Sequence, residues 1–190
     1  MIPFIVDHFI HALWASWFAL WLLLRPAKVE QRSDTLVSRL GHLLPGALAF
    51  ALIGLPNLGV PLLEQRLISD SHFAYWAGVA AVCVGLGFAI WARLALGHNW
   101  SWFVAIRNEH EFISSGPYGI TRHPIYSGLV LAFVGSALAL GELRGLLAVL
   151  LIAVSLWRKL RKEEAWLLTV FSDRYRDYMR RVKAIVPMLL

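Results

Sequence analysis

The chain has 190 residues, of which 58% are hydrophobic, with a net charge of +6 and an isoelectric point of about 9.9. A soluble domain is nearer half apolar, so this composition and the mean hydropathy of +0.61 point to a membrane protein built as one compact unit. The single cysteine, Cys83, excludes an intrachain disulfide framework or a cysteine-built metal site. Lys and Arg fall in the gaps between apolar runs, as in cytoplasmic loops beside anionic lipid, which argues against nucleic acid as the partner of this basic chain.

The first apolar run, Ile2 to Leu24, carries Asp7, His8 and His11 near its start and ends at Arg25-Pro26. A signal peptide has its positive charge before the apolar stretch; here it follows, so a retained helix with its N-terminus outside is expected. His8 and His11 read as a shared metal pair or as interface histidines, and no third ligand is near them in sequence. Lys28, Arg32 and Arg39 mark the first cytoplasmic loop. The second run, Leu43 to Leu63, is broken by Pro45, Gly54, Pro56, Asn57, Gly59 and Pro61, which predicts a helix from about Leu43 to Leu55 and an irregular exit packed under other helices. Phe73 to Leu96 is the cleanest span, with Gly78 and Gly85 on one face for close helix contact. Residues 93 to 115 form a cytoplasmic connector.

Ile125 to Leu140 and Gly145 to Trp157 are shorter than the roughly 20 residues of a full span and read as a hairpin turning at Gly141 to Arg144. The second of them is expected to continue as a helix to about Tyr178, because Leu160, Leu167, Phe171, Tyr175 and Tyr178 recur at helical spacing. The nine Trp suit interface belts, although several lie in mid-span. The fold class is therefore all-α, an integral membrane protein of about five transmembrane helices with a C-terminal helical hairpin and a cytoplasmic cofactor region. Residues 1–92 would hold the first three helices and 93–190 the catalytic part. Basic loops alternate with near-neutral ones, which gives a multi-pass topology, N-terminus outside, with the motifs on the cytoplasmic side.

Two stretches carry chemistry. Gly116-Pro117-Tyr118-Gly119-Ile120-Thr121-Arg122-His123-Pro124-Ile125-Tyr126-Ser127-Gly128 runs from a turn into an apolar helix. Pro124 suits the first helical turn, and free N–H groups there favour an anion. A positive-inside anchor with a proline helix start is the plainer reading. The second stretch is Glu163-Glu164-Ala165-Trp166-Leu167, followed by Phe171, Tyr175 and Tyr178. Adjacent glutamates project about 100° apart on a helix and do not face one point, so one would take a cofactor group and the other orient a basic side chain. Glu163 lies four residues after Lys159, on the same face. Ion pairs on a solvated helix explain that spacing equally well.

In this order the two stretches resemble the isoprenylcysteine carboxyl methyltransferase family, whose signature phospholipid N-methyltransferases share. The resemblance covers roughly residues 93 to 187, including Gly97-His98-Asn99-Trp100-Ser101. It implies an integral membrane enzyme using S-adenosylmethionine, with S-adenosylhomocysteine as product, to methylate a lipophilic acceptor. A prenylcysteine carboxylate is the first candidate acceptor and a phospholipid amine the alternative. It implies cofactor-binding roles for Gly116, Pro117, Tyr118, Arg122, His123, Pro124, Tyr126, Glu163 and Glu164, and catalytic roles for Lys159, Arg158 and Glu164. Neither a metal nor nucleic acid is implied. Arg122 also reads as a lipid-headgroup anchor. Lys159 stands where the family usually has arginine, which trades a two-pronged grip on a carboxylate for a point charge. Ser172 stands where a glycine is usual. Membrane sterol reductases, which bind NADPH, share the Arg-His-Pro-x-Tyr-x-Gly stretch but carry a later pattern absent here. A non-catalytic protein keeping the fold is a further alternative.

Overall fold

The computed structural model describes residues 4–24, 36–97 and 112–185, and all its regular elements are helices. The predicted roles of Arg25, Lys28, Arg32, His98, Trp100 and Ser101 lie outside the described residues. In chain order the helices are α1 (Phe4–Leu23), α2 (Leu36–Gly54), α3 (His72–Leu96), the single-turn α4 (Pro117–Ile120), α5 (Pro124–Leu140) and α6 (Leu143–Arg181). Proline starts both α4 and α5 at N1, where its missing N–H costs no hydrogen bond. α2 passes through Pro45 and then ends at Gly54, ahead of the irregular stretch that Pro56 and Pro61 impose.

The bundle is assembled around α5. On one side it nests against α3 with backbone touching backbone: a Cβ on Gly78 would lie 2.5 Å from the Gly135 carbonyl oxygen, and one on Gly85 2.5 Å from that of Gly128. The predicted small face of α3 is therefore met by an equally small face on α5, the arrangement that lets apolar helices approach without side chains between them. On its other side α5 packs on α6, which also covers α2. α1 contributes Trp14, Trp17 and Trp21, which are buried and stacked edge-on or face-on with one another and with Phe50 and Phe133. These three indoles build the core rather than an interface belt, and Trp14 Nε1 donates to Ser136 Oγ at 3.0 Å. His11 Nε2 lies 3.2 Å from the Gly54 carbonyl, and the rings of His8 and His11 are 6.5 Å apart.

At the end of the bundle remote from the motifs, the irregular exit of α2 is stitched to the hairpin tip. Leu67 N and Ile68 N donate to the Gly141 carbonyl, Leu143 N to Gln65 and Arg144 N to Leu63. The buried Arg144 guanidinium donates to the Leu55 and Pro56 carbonyls and pairs with Glu142. These bonds tie down backbone groups at Leu55, Leu63, Gln65, Leu67 and Ile68. Residues 54–57, 59–62 and 65–72 are nonetheless exposed, so the exit lies at the surface and not under other helices, which corrects that expectation.

The outer surface is apolar over long stretches. Phe73, Trp76, Val84, Trp91 and Leu94 are exposed on α3, and Leu146, Leu150, Val154 and Trp157 on α6. Apolar area on this scale belongs in lipid or against another protein. Among the described helices, His72–Leu96 is long and apolar enough to cross a membrane by itself; the apolar parts of α1, α2 and α5 (His8–Leu23, Leu43–Gly54 and Pro124–Leu140) are shorter.

α6 runs for 39 residues but is broken at Ser172, with φ 44° and ψ −117°. The break reverses the chain. A straight helix would separate residues 164 and 182 by about 27 Å, yet Glu164 and the Val182 carbonyl both bind the Arg122 side chain. A positive φ is strained for any residue with a Cβ, and serine occupies the position where glycine was expected. Ser172→Gly should therefore raise the thermal midpoint by about 2–4 °C, or about 1 kcal/mol, while Ser172→Ala should give no gain. Thermal unfolding in detergent checks this, and a midpoint lowered by the glycine would show that the bend is not strained.

Candidate functional site

The site forms where α5 begins and α6 leaves the bundle. Gly116, at φ 60°, makes the turn into α4. α4 then delivers the extended Thr121 to the Arg122-His123-Pro124 corner. That corner is held by the chain's last described residues: Arg122 N donates to Lys183 O at 2.7 Å, His123 N to Ala184 O at 3.0 Å, and Ser127 Oγ to Ile185 O.

Arg122 is the centre of the arrangement. Its Nε and Nη2 both reach Glu164 Oε1 at 2.8 Å, and Nη1 donates to Val182 O at 2.6 Å and Met179 O at 3.3 Å. The guanidinium thus binds the carboxylate and caps the C-terminal end of α6, where carbonyls are left over and positive charge is favoured. With 9% of its side chain exposed, it is no headgroup anchor, which corrects that expectation.

His123 lies between the two glutamates. Nε2 is 3.3 Å from Glu164 Oε1, and Nδ1 is 3.6 Å from Glu163 Oε2. The carboxylates diverge around the helix as predicted, but an imidazole has a nitrogen on either side and is reached by both. Tyr126, one turn on, lies parallel to the His123 ring at 5.4 Å and donates to Glu163 Oε1 at 2.6 Å. Lys159 Nζ is 3.9 Å from the same oxygen and 5.4 Å from the Tyr126 ring centre. Arg158 is exposed and is directed to Gly41 of α2, outside these ion pairs.

The cluster has two sides. Arg122, His123 and Glu164 are almost fully buried and mutually satisfied, whereas Glu163 and Lys159 keep about a quarter of their side chains open. Burial pushes the Glu164 carboxyl up, but hydrogen bonds from His123 and Arg122, and their charges, outweigh it and hold the group below its ordinary 4.5. A value depressed on folding adds stability that is present above the unfolded value and lost as pH falls through the folded one. The thermal midpoint should therefore drop below about pH 4.5, and the drop should flatten in Glu164→Gln. Parallel pH series of thermal scans test this, and equal slopes in the two proteins would remove Glu164 as the cause.

Sequence reasoning missed the aromatic floor. Phe112 packs its ring against Phe171, Tyr175 and Tyr178, and the Arg174 guanidinium sits 4.9 Å from its centre. Tyr178 donates to the Tyr118 carbonyl, and burial pushes its phenol up to about 12. Tyr175 is buried with its hydroxyl making no hydrogen bond, close enough to Glu164 and Arg122 to feel both charges. Burial also raises the phenols of Tyr118 and Tyr175. The helical period marked both tyrosines of α6 in the sequence, but nothing marked Phe112 as their partner.

A helix bundle with apolar outer faces, gathering two carboxylates, two fixed cations, a histidine and a tyrosine at the mouth of its central helix, defines a membrane-type helical protein with a polar site at one end. The chain belongs to the phospholipid methyltransferase family, whose model matches residues 73–174. It is 28% identical over 114 residues to the protein-S-isoprenylcysteine O-methyltransferase of Schizosaccharomyces pombe, covering 57% of this chain and 47% of that one. Identity to the Saccharomyces cerevisiae protein-S-isoprenylcysteine O-methyltransferase is 33% over 143 residues, 67% of this chain and 59% of the relative. The phosphatidyl-N-methylethanolamine N-methyltransferase of Emericella nidulans is 26% identical over 160 residues, 80% of this chain and 79% of the relative. The chain thus spans about half the length of the fission yeast relative.

Proposed function

We propose that the protein transfers a methyl group from S-adenosylmethionine to a lipophilic acceptor at the cytoplasmic face of a membrane, by carboxyl O-methylation of a prenylcysteine-like substrate. The observation that carries this reading is the convergence of Glu163, His123, Tyr126 and Lys159 at the boundary between the apolar bundle and its polar extension. The printed names of the yeast relatives support the acceptor class.

The residues fit the methyl donor. A partly open carboxylate, Glu163, suits its ammonium or its ribose hydroxyls. The start of α5, where His123 provides no side-chain cap, suits its carboxylate. The buried, unbonded Tyr175 hydroxyl is a spare donor beside them. When bound, the donor supplies an electrophilic methyl on a positively charged sulfur. Tyr126 fixes the Glu163 carboxylate, and Arg122 with Glu164 fixes the His123 ring. Lys159 offers a cation to an acceptor carboxylate, which is already ionised at neutral pH and needs no base. Positioning in a water-poor site then supplies the acceleration. The topology proposed is five membrane helices with the N-terminus outside, supported by Arg158, Arg161 and Lys162 directly after the exposed Trp157.

A second reading, N-methylation of a phospholipid amine, is favoured by the Emericella relative, which matches over the largest share of this chain among the three. That acceptor must lose a proton first, so Glu163 or a proton path would have to take it.

Calorimetric titration of the detergent-purified protein with S-adenosylhomocysteine, with NADPH as control, tests the class. Micromolar binding of the first alone is expected, and binding of NADPH alone would move the protein to the reductases. Labelled-methyl transfer to prenylcysteine and to phosphatidylethanolamine in parallel then separates the two acceptors.

A further inference from the structure

The basic side chains on the arm of α6 beyond Ser172 are not used by the chemistry above. The arm returns toward the membrane, because its end, Val182 to Ile185, binds the corner where α5 enters the apolar bundle. Its inner face is spent on Tyr175 and Tyr178, both buried. Its outer side carries Arg176 and Arg180, its flank carries Arg181 and Arg174, the latter against the Phe112 ring, and Lys183 follows the helix; all five are exposed. Asp173 and Asp177 pair with Arg176 and Arg180 one turn away, at 2.7 and 3.3 Å, but the side chains of those two arginines stay 63% and 79% exposed. Such exposed pairs add little and leave their cations able to bind another anion. The five cations exceed the two acids by three. The other arm adds Arg161, whose guanidinium sits 5.9 Å from the centre of the exposed Trp157 ring, an arrangement that marks the level of the lipid–water interface on α6.

We propose that residues 173–183 form a docking surface for the headgroups of anionic lipids in the membrane that holds the protein. Three arguments favour this occupant. The charge is complementary, and each basic side chain near an anionic leaflet is worth about a five-fold preference. The surface also lies on the helix that exposes Leu146, Leu150, Val154 and Trp157 before its break at Ser172. Its far end is fastened to the start of α5, so the arm cannot swing away without opening the Arg122 contacts. The inference rests on the membrane placement of the bundle and not on methyl transfer.

The test is native mass spectrometry of the full-length protein released from an equimolar mixture of phosphatidylglycerol and phosphatidylcholine. The wild type should retain the anionic lipid with at least about a ten-fold preference, and about 0.5 M salt should abolish it. The triple substitution Arg176→Gln, Arg180→Gln and Arg181→Gln should bring retention near parity without changing the thermal midpoint, because these side chains are exposed. The matching triple lysine variant should keep the preference, and so should Arg66→Gln at the opposite end of the bundle. A wild type without preference, or a glutamine variant that keeps it, overturns the proposal. So does a wild type that binds a labelled oligonucleotide more tightly than the anionic lipid, which would make nucleic acid the partner.

Discussion

Arg122→Met is expected to lower the thermal midpoint by about 10 °C, corresponding to about 3–5 kcal/mol. The methionine fills most of the volume but supplies none of the donors. Glu164 would be left buried, with only the longer 3.3 Å contact to His123, and the Met179 and Val182 carbonyls would lose their cap. Breaking one side of a buried pair costs more than the pair itself contributes, because the surviving charge stays in a poorly solvated place. The double variant Arg122→Met with Glu164→Leu should therefore recover part of the loss. Limited proteolysis should show new cleavage within residues 173–185 in the single variant, since the returning arm is pinned there. A single variant melting within about 2 °C of the wild type would mean that the arm is held by Tyr178 and the backbone contacts alone.

Glu163→Gln is expected to weaken S-adenosylhomocysteine binding by about ten- to a hundred-fold while leaving the midpoint nearly unchanged. Hydrogen bonds to charged groups are worth about 1.5–3 kcal/mol. Glutamine still accepts from Tyr126, so the substitution removes the charge and keeps the local geometry. Glu163 is also partly open, so no buried ion is stranded by the change. Calorimetry on the purified protein reads the effect. An unchanged affinity would assign the cofactor's cation to some other group, and an equal loss in Tyr126→Phe would show that the orientation of the carboxylate matters as much as its charge. Lys159→Arg makes a useful companion, because it restores the family's usual side chain beside the same carboxylate.

The helices were legible wherever local chemistry marks them. Pro124 announces the start of α5, the Pro56 to Pro61 stretch announces the end of α2, and the spacing of Lys159 and Glu163 places both on one face. The closeness of α3 and α5 was foreshadowed by Gly78 and Gly85, although their partners on α5 were not. What local sequence could not carry was the company that Arg122 keeps. Its three partners lie 42, 57 and 60 residues away, and an arginine before a helix at a membrane boundary looks the same whether it anchors to lipid or clasps a distant carboxylate. Trp14 is a similar case, since its hydrogen-bond partner Ser136 lies 122 residues further on. Ser172 gave half a signal: the usual glycine marked the place, but the reversal it produces follows only from seeing both arms meet one guanidinium.

The backbone-to-backbone seam between α3 and α5 limits how the protein moves. Where two helices touch through bare glycine surfaces, sliding one along the other brings the methyl of Ala81, Ala89 or Ala139 into the facing main chain within a fraction of a turn. The pair therefore behaves as one stiff beam, and His123 is mounted at its end. A lipid tail gains no entrance through that seam. Whatever opening the bundle makes has to come from the joints that α1 and α2 form around the beam, since α5 is clasped at both ends by α6, through Glu163 and Glu164 at one and the close approach of Gly145 to Ala137 at the other.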